Sequence, residues 1–84
     1  MSSSPFSGLD VKKVMVNSGI FTHVRTSGDH AILRWDPPDD HESEARTVVV
    51  PLHDEINTGT LRDIGEQAGM KDFQEFKAWI DRNR

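Results

Sequence analysis

The dipeptide Gly28-Asp29 separates two runs that are rich in aromatic and β-branched residues, Phe21 to Ser27 and His30 to Trp35. Runs of this composition favour β-strands, and two strands separated by two turn-forming residues are typical of a tight β-hairpin. Glycine at the first turn position also suits the positive φ angle of a type II′ turn. A hairpin at this point is therefore the strongest constraint on the fold.

The length of the turn determines which side chains share a face of the hairpin, because neighbouring residues of a strand point to opposite faces. A two-residue turn separates the apolar side chains from the His and Arg side chains, whereas a three-residue turn mixes them. With the shorter turn, one face carries Thr22, Val24, Thr26, Ala31, Leu33 and Trp35. The other face carries Phe21, His23, Arg25, Ser27, His30, Ile32 and Arg34. We therefore predict that His30 lies on a polar face with Arg25 and Arg34.

A helix is predicted before the hairpin and a third strand after it. Ser7 and Asp10 have the spacing of a capping box ahead of a helical apolar pattern, and Gly19 marks the end of that helix. The third strand runs from Arg46 to Val50 and ends at Pro51. The three strands are expected to form an antiparallel meander.

The segment from Asp36 to Ala45, between the second and third strands, is polar and acidic. It contains five of the fourteen acidic residues of the chain, namely Asp36, Asp39, Asp40, Glu42 and Glu44. We interpret this segment as a solvated hairpin loop. The formal net charge of −4 argues against binding of nucleic acid by charge alone, but a local basic face remains compatible with it because charge elsewhere is nearly balanced.

Two further helices are predicted after a connection from Leu52 to Asn57. Thr58 or Thr60 is the expected cap of the first helix, and the second begins at Asp72. Four aromatic residues are expected in the core rather than as platforms for stacking bases: Trp35, Phe73, Phe76 and Trp79. The predicted order is α-β-β-β-α-α, an α+β fold with a three-stranded antiparallel sheet.

The length and composition of the chain exclude several classes of protein. A chain of 84 residues supports one modest core, so we expect a single domain over residues 1–84. The absence of cysteine excludes disulfide frameworks, thiolate zinc sites and cysteine nucleophiles. No apolar run approaches the ~18 residues of a membrane span, and the start, Met1 to Pro5, lacks the features of a signal peptide. These properties favour a cytoplasmic protein that does not contact a membrane.

Three stretches follow one another along the chain: Gly28-Asp29-His30, Val50-Pro51-Leu52-His53, and Gly59-Thr60-Leu61-Arg62-Asp63-Ile64 leading to Gln67-Ala68-Gly69. In this order and spacing they make the chain resemble the HicA family of toxin ribonucleases. The resemblance spans residues 7–70, and the last helix, within residues 71–84, lies outside it.

The resemblance implies a fold like that of double-stranded-RNA-binding domains, α-β-β-β-α, here with an extra C-terminal helix. It also implies cleavage of messenger RNA without a metal or another cofactor, and a HicB-like antitoxin as protein partner. The catalytic histidine of the family lies in a Gly-Ser-His motif at the start of the second strand, and His30 occupies the matching position. Asp29 replaces the serine of that motif and puts a carboxylate beside the histidine.

One histidine is chemically sufficient for such a reaction, because RNA supplies its own nucleophile, the 2′-hydroxyl next to the scissile phosphate. An imidazole with an ordinary pKa of about 6.5 accepts or donates a proton near neutral pH, which accelerates reactions typically by ~10²- to 10⁴-fold. The expected products are a 2′,3′-cyclic phosphate and a 5′-hydroxyl. Arg25 and Arg34 are candidate phosphate-binding residues, and His23 and His53 are candidate further contacts to single-stranded or messenger RNA.

The residue pattern alone leaves other interpretations open. Without the resemblance, His30 is most simply an exposed strand histidine, and Arg25 and Arg34 fit a solvated sheet face as well as they fit phosphate binding. A metal site formed by His30 and His53 is not predicted, because the spacing of the candidate ligands matches no recognisable site. The same fold could also serve as a non-catalytic RNA- or protein-binding module, or as a structural subunit of a larger complex.

Overall fold

The computed structural model of the chain describes residues 6–38 and 44–84. Its helices and strands are, in chain order, α1 (Gly8–Asn17), β1 (Thr22–Ser27), β2 (His30–Trp35), β3 (Arg46–Pro51), α2 (Thr58–Gln67) and α3 (Phe73–Asn83). The order confirms the predicted α+β fold, an α-β-β-β-α unit followed by one more helix. The first five residues and the centre of the acidic loop, residues 39–43, lie outside the described residues.

The three strands form an antiparallel sheet in the order β1-β2-β3. Four side chains on one face of β2 and β3 are fully buried: Ala31, Leu33, Val48 and Val50. The helices α1 and α2 pack on these two strands, and their apolar side chains complete the core. All six residues of β1 are exposed, so β1 is an open edge strand beyond the helix layer.

The starts of the three helices are set by side-chain caps. The hydroxyl of Ser7 accepts a 3.0 Å hydrogen bond from the amide of Asp10, as predicted. Asp72 caps α3 by accepting from the amides of Gln74 and Glu75. The predicted cap of α2 is wrong: neither Thr58 nor Thr60 caps this helix, because the carboxamide oxygen of Asn57 accepts from the amide of Thr60 at 2.8 Å. Asparagine at this position is at least as favourable a cap as threonine.

The last helix, α3, belongs to the packed body of the molecule. Phe76 and Ile80 are fully buried, and the ring of Phe76 lies against Gly65 of α2, where an added Cβ atom would be 3.1 Å from the ring. Three of the four aromatic residues predicted in the core, Trp35, Phe73 and Trp79, are only partly buried and pack against it. The longest described helix, α3, has 11 residues, and no described helix is long and apolar enough to cross a membrane.

Candidate active site

The turn that precedes His30 has the predicted length and type. Ser27 pairs with His30 across the hairpin, which leaves Gly28 and Asp29 as its two turn residues. Gly28 has a φ of +60°, and no other residue of the turn has a positive φ. This is the pattern of a type II′ turn, whose first central position requires a residue without a side-chain clash. His30 is therefore the first residue of β2.

The polar face of the hairpin also forms largely as predicted. The neighbours Ala31 and Leu33 are fully buried under the helices, so the alternation along β2 places His30, Ile32 and Arg34 on the opposite face. Arg25 pairs with Ile32 across the strands and shares this face. The prediction that His30 lies with Arg25 and Arg34 on one face is confirmed.

The predicted faces of the residues at the start of β1, away from the turn, are wrong, because the strand contains a β-bulge. His23 pairs with Leu33 and Arg25 pairs with Ile32, so Val24 is an extra residue without a partner of its own. One extra residue reverses the alternation beyond it. His23 consequently lies on the face of Leu33 and not on that of His30, and Thr22, which pairs with Arg34, moves the other way.

Two further observations agree with this correction. The Nε2 atom of His23 lies 2.9 Å from the hydroxyl of Thr26, a residue three positions along that a regular strand would put on the opposite face. Phe21, predicted on the polar face, precedes β1 and is buried in the core with 7% of its surface exposed.

The carboxylate of Asp29 joins two histidines that are distant in the sequence. Its Oδ1 atom lies 2.8 Å from Nδ1 of His30, and its Oδ2 atom lies 3.0 Å from Nε2 of His53. An ionised carboxylate only accepts hydrogen bonds, so Nε2 of His53 carries the hydrogen of its bond to Asp29. Nδ1 of His30 carries a hydrogen as well, because a bare lone pair 2.8 Å from a carboxylate oxygen would be repelled. The remaining nitrogens are Nε2 of His30 and Nδ1 of His53, which are then available to other partners.

The loop after β3 is held in place by two backbone hydrogen bonds. The amide of Leu52 donates to the carbonyl of Asp29 at 2.6 Å, and the amide of Gly8 donates to the carbonyl of His53 at 2.8 Å. Pro51 pairs with His30 across β2 and β3. The imidazoles of His30 and His53 therefore stand with ring centroids 6.3 Å apart in an edge-to-face arrangement.

Solvent reaches all three side chains of this cluster. The exposed fractions are 60% for Asp29, 45% for His30 and 57% for His53. The hydrogen bond from His53 is the largest cause that holds the pKa of Asp29 below its ordinary value, with smaller contributions from its own backbone and from the nearby positive charge of His30 and His53. Asp29 therefore stays ionised over the neutral and mildly acidic range.

The two arginines of the polar face differ in their partners. Arg34 donates from Nε to Asp36 Oδ1 at 2.7 Å, so its charge is already paired on the surface. Arg25 forms no ion pair or hydrogen bond with its side chain within residues 6–38 and 44–84. Arg25 is thus the more available cation on the face of His30.

The sequence motifs did not indicate that Asp29 and His53 meet. They lie 24 residues apart, with the acidic segment between β2 and β3 in the intervening chain, so no local sequence spacing relates them. Only the register of the two strands brings them together. In the part of the chain that is described, no group of three or more His, Cys, Asp or Glu side chains has the arrangement of a metal site.

Comparison with known protein families gives a match to this chain. The model of the family described as HicA toxin of bacterial toxin-antitoxin matches residues 8–70. This segment includes the helices α1 and α2, the three strands and the Asp29, His30 and His53 cluster, and it ends before α3. No curated protein and no solved structure matches the chain.

Proposed function

Because the chain belongs to the HicA toxin family of bacterial toxin-antitoxin systems, we propose that it is an endoribonuclease that cleaves messenger RNA without a metal ion. His30 is the proposed general acid or base. The observation that carries this proposal is the half-exposed imidazole of His30, whose Nδ1 lies 2.8 Å from the carboxylate of Asp29. That contact leaves Nε2 of His30 to exchange a proton with a substrate.

The proposed reaction uses the 2′-hydroxyl of the RNA as nucleophile. As its proton leaves, the 2′-oxygen bonds to phosphorus, the bond from phosphorus to the 5′-oxygen breaks, and that oxygen gains a proton. The products are a 2′,3′-cyclic phosphate and a 5′-hydroxyl. A positioned imidazole accelerates such proton transfers typically by ~10²- to 10⁴-fold, and no cofactor takes part in them.

The proposed RNA contacts lie on the face of His30. Arg25 shares that face and has no competing partner there, so it is the better candidate for binding a phosphate next to the scissile bond. Arg34 also binds phosphate once RNA displaces its partner Asp36. His53 adds an RNA contact beside the turn. His23, on the opposite face of the bulged strand, is not part of this surface.

The proposed partner is a HicB-like antitoxin that covers the polar face and blocks access of RNA to His30. The support is the family, whose members are toxins of toxin-antitoxin pairs, together with the exposure of the Asp29, His30 and His53 cluster. A toxin acting on messenger RNA works in the cytoplasm, where its substrate is translated.

The proposal is tested by expressing the wild type beside His30→Ala and following growth and RNA integrity. We expect growth arrest and cleaved messenger RNA with the wild type only. The purified wild type should keep its activity in EDTA and leave 2′,3′-cyclic phosphate ends. Equal and harmless behaviour of both proteins, or 3′-hydroxyl ends with a metal requirement, contradicts the proposal. Asp63→Asn, an exposed change on α2, is a control for expression and folding.

A second candidate function is a non-catalytic RNA- or protein-binding module with the same fold. The observation in its favour is the negative charge beside His30, where the ionised Asp29 repels an approaching phosphate. For such a module, RNA or antitoxin binding would persist in His30→Ala while neither protein cleaves RNA. The growth and product assays above therefore separate the two functions.

A further inference from the structure

We propose that His53 is a second catalytic residue, which performs one of the two proton transfers of RNA cleavage while His30 performs the other, and that Asp29 positions both rings. This inference rests on the proposed ribonuclease function. It starts from the contact geometry, in which one carboxylate uses Oδ1 for His30 and Oδ2 for His53. Neither imidazole displaces the other from this carboxylate.

Cleavage needs two proton transfers at two different oxygens. One group removes the proton of the 2′-hydroxyl as the bond to phosphorus forms, and another protonates the 5′-oxygen as its bond to phosphorus breaks. A lone histidine serves both oxygens only by moving between them or by using water. Two histidines in opposite protonation states serve both oxygens in one step, after which solvent exchange restores the starting states.

The distance between the two imidazole rings fits a mechanism in which each ring performs one of the two proton transfers. In an in-line displacement the attacking and leaving oxygens stand on opposite sides of phosphorus, so the groups that serve them approach from different directions. Each catalytic group reaches its oxygen across about 3 Å, so the two groups need to be several ångströms apart. The ring centroids of His30 and His53 are 6.3 Å apart, so one phosphate seated against the exposed edges of both rings lies close to each of them.

Asp29 provides the charge and the orientation that the pair needs. Its close contact with Nδ1 of His30 and its hydrogen bond with Nε2 of His53 favour a hydrogen on each of these two nitrogens, so the opposite nitrogen of each ring is available to RNA. With one ring protonated, the three side chains together are neutral. Among the described residues, no other charged side chain forms an ion pair with this cluster. Asp29 acts through the histidines and is a positioning residue.

The test measures single-turnover cleavage by the full-length protein at a site first mapped in a transcript with the wild type. His30→Ala, His53→Ala and His53→Gln are each expected to lose ~10²- to 10⁴-fold in rate, with circular dichroism confirming that each variant folds. A synthetic RNA of the same site with sulfur in place of the bridging 5′-oxygen then identifies the acid. A thiolate leaves without protonation, since thiols are far stronger acids than alcohols.

On the sulfur-containing RNA, the variant that lacks the acid should regain most of its rate, and the variant that lacks the base should not. Rescue of one histidine variant and not of the other supports the proposal. If His53→Ala retains most of the wild-type rate on ordinary RNA, or if sulfur rescues both or neither variant, the proposal is overturned. If the wild type cleaves no RNA at all, the proposed function itself fails.

The positioning role of Asp29 has its own measurement. Asp29→Asn replaces an acceptor-only carboxylate with an amide that both donates and accepts, so the hydrogens of the two rings are no longer fixed. We expect the nitrogen NMR signals of both imidazoles to change from single tautomers to mixtures, together with a fall in cleavage rate. Asp63→Asn should leave the spectra and the rate unchanged. Unaltered imidazole signals in Asp29→Asn would overturn this role.

Discussion

Asp29 and His53 are 24 residues apart in the sequence and are joined by a 3.0 Å hydrogen bond between Oδ2 and Nε2. This bond is the largest cause of the lowered pKa of Asp29, so the pKa should rise toward its ordinary value in His53→Ala. In His30→Ala, which removes a smaller electrostatic contribution, the pKa should rise less. A carbon NMR titration of the Asp29 carboxyl measures both shifts, and a larger rise in His30→Ala would contradict the geometry.

The same bond gives stability a defined pH dependence. A carboxyl whose pKa is lower in the folded than in the unfolded chain stabilises the fold fully above its ordinary value, and this stabilisation is lost as the pH falls through the lowered pKa. The difference in free energy of unfolding between the wild type and Asp29→Asn should therefore shrink as the pH falls below about 5. Urea denaturation across this range checks the sign.

Gly8 lies where α1 meets the loop that presents His53. A Cβ atom added at Gly8 would overlap the carbonyl oxygen of Pro51 and approach Cα of Leu52, and both are backbone atoms that cannot rotate away. Gly8→Ala should lower the free energy of unfolding by about 1–3 kcal/mol. It should also shift the amide signal of His53, whose carbonyl accepts from Gly8 at 2.8 Å.

Gly59→Ala is the matched control for this change. A Cβ atom at Gly59 meets only the side-chain oxygen of Asn57 at 3.4 Å, and alanine favours a helix over glycine. The free energy of unfolding should stay the same or rise. Equal losses in Gly8→Ala and Gly59→Ala, measured by urea denaturation, would show that the contact with Pro51 is not the cause.

The parts of this fold that could be predicted from the sequence depend on neighbouring residues. The Gly28-Asp29 turn and the caps at Ser7 and Asp72 are each set within four residues, where the chemistry of one residue determines the backbone. The polar face of His30 followed from the turn, because the register of a hairpin propagates from its turn.

The features that could not be predicted depend on the rest of the molecule. The bulge at Val24 moved His23 to the other face, and β1 has no glycine there that would indicate it. The contact between Asp29 and His53 depends on the register of β2 against β3. The sequence pattern of the acidic loop between these strands does not determine that register. The face on which His30 lies could therefore be predicted from its turn, whereas its proximity to His53 in the loop after β3 could not.

Substitution of Phe76 tests whether α3 is essential to the domain. This helix follows the segment that the family model matches. The ring of Phe76 is fully buried and lies against Gly65 of α2. Phe76→Ala should cost about 3–5 kcal/mol in the free energy of unfolding, a large part of the 5–15 kcal/mol typical of a domain. Gln74→Ala, an exposed change on the same helix, should have little effect. Similar melting temperatures for both variants would contradict the packing of α3.

Gln67, within the third family-like motif, protects the edge of the sheet. Its side-chain oxygen accepts a hydrogen bond from the amide of Val49 at 2.8 Å, and β3 is the last strand of the sheet. Amides at an open edge are available to other strands, so this bond occupies one of them. In Gln67→Leu, hydrogen exchange of the Val49 amide should become faster, while the stability of this exposed site changes by about 0.5 kcal/mol or less.

Gln67→Glu is the matched variant, because its carboxylate still accepts from Val49. Exchange at this amide should then remain as slow as in the wild type. The buried neighbour Val48 lies under the helices and reports on global opening, so its exchange rate should be the same in all three proteins. If exchange at Val49 is unchanged in Gln67→Leu, or if Val48 accelerates equally, the local bond to Gln67 does not protect the edge. A selective change at Val49 would assign this glutamine a structural role separate from the His30 site.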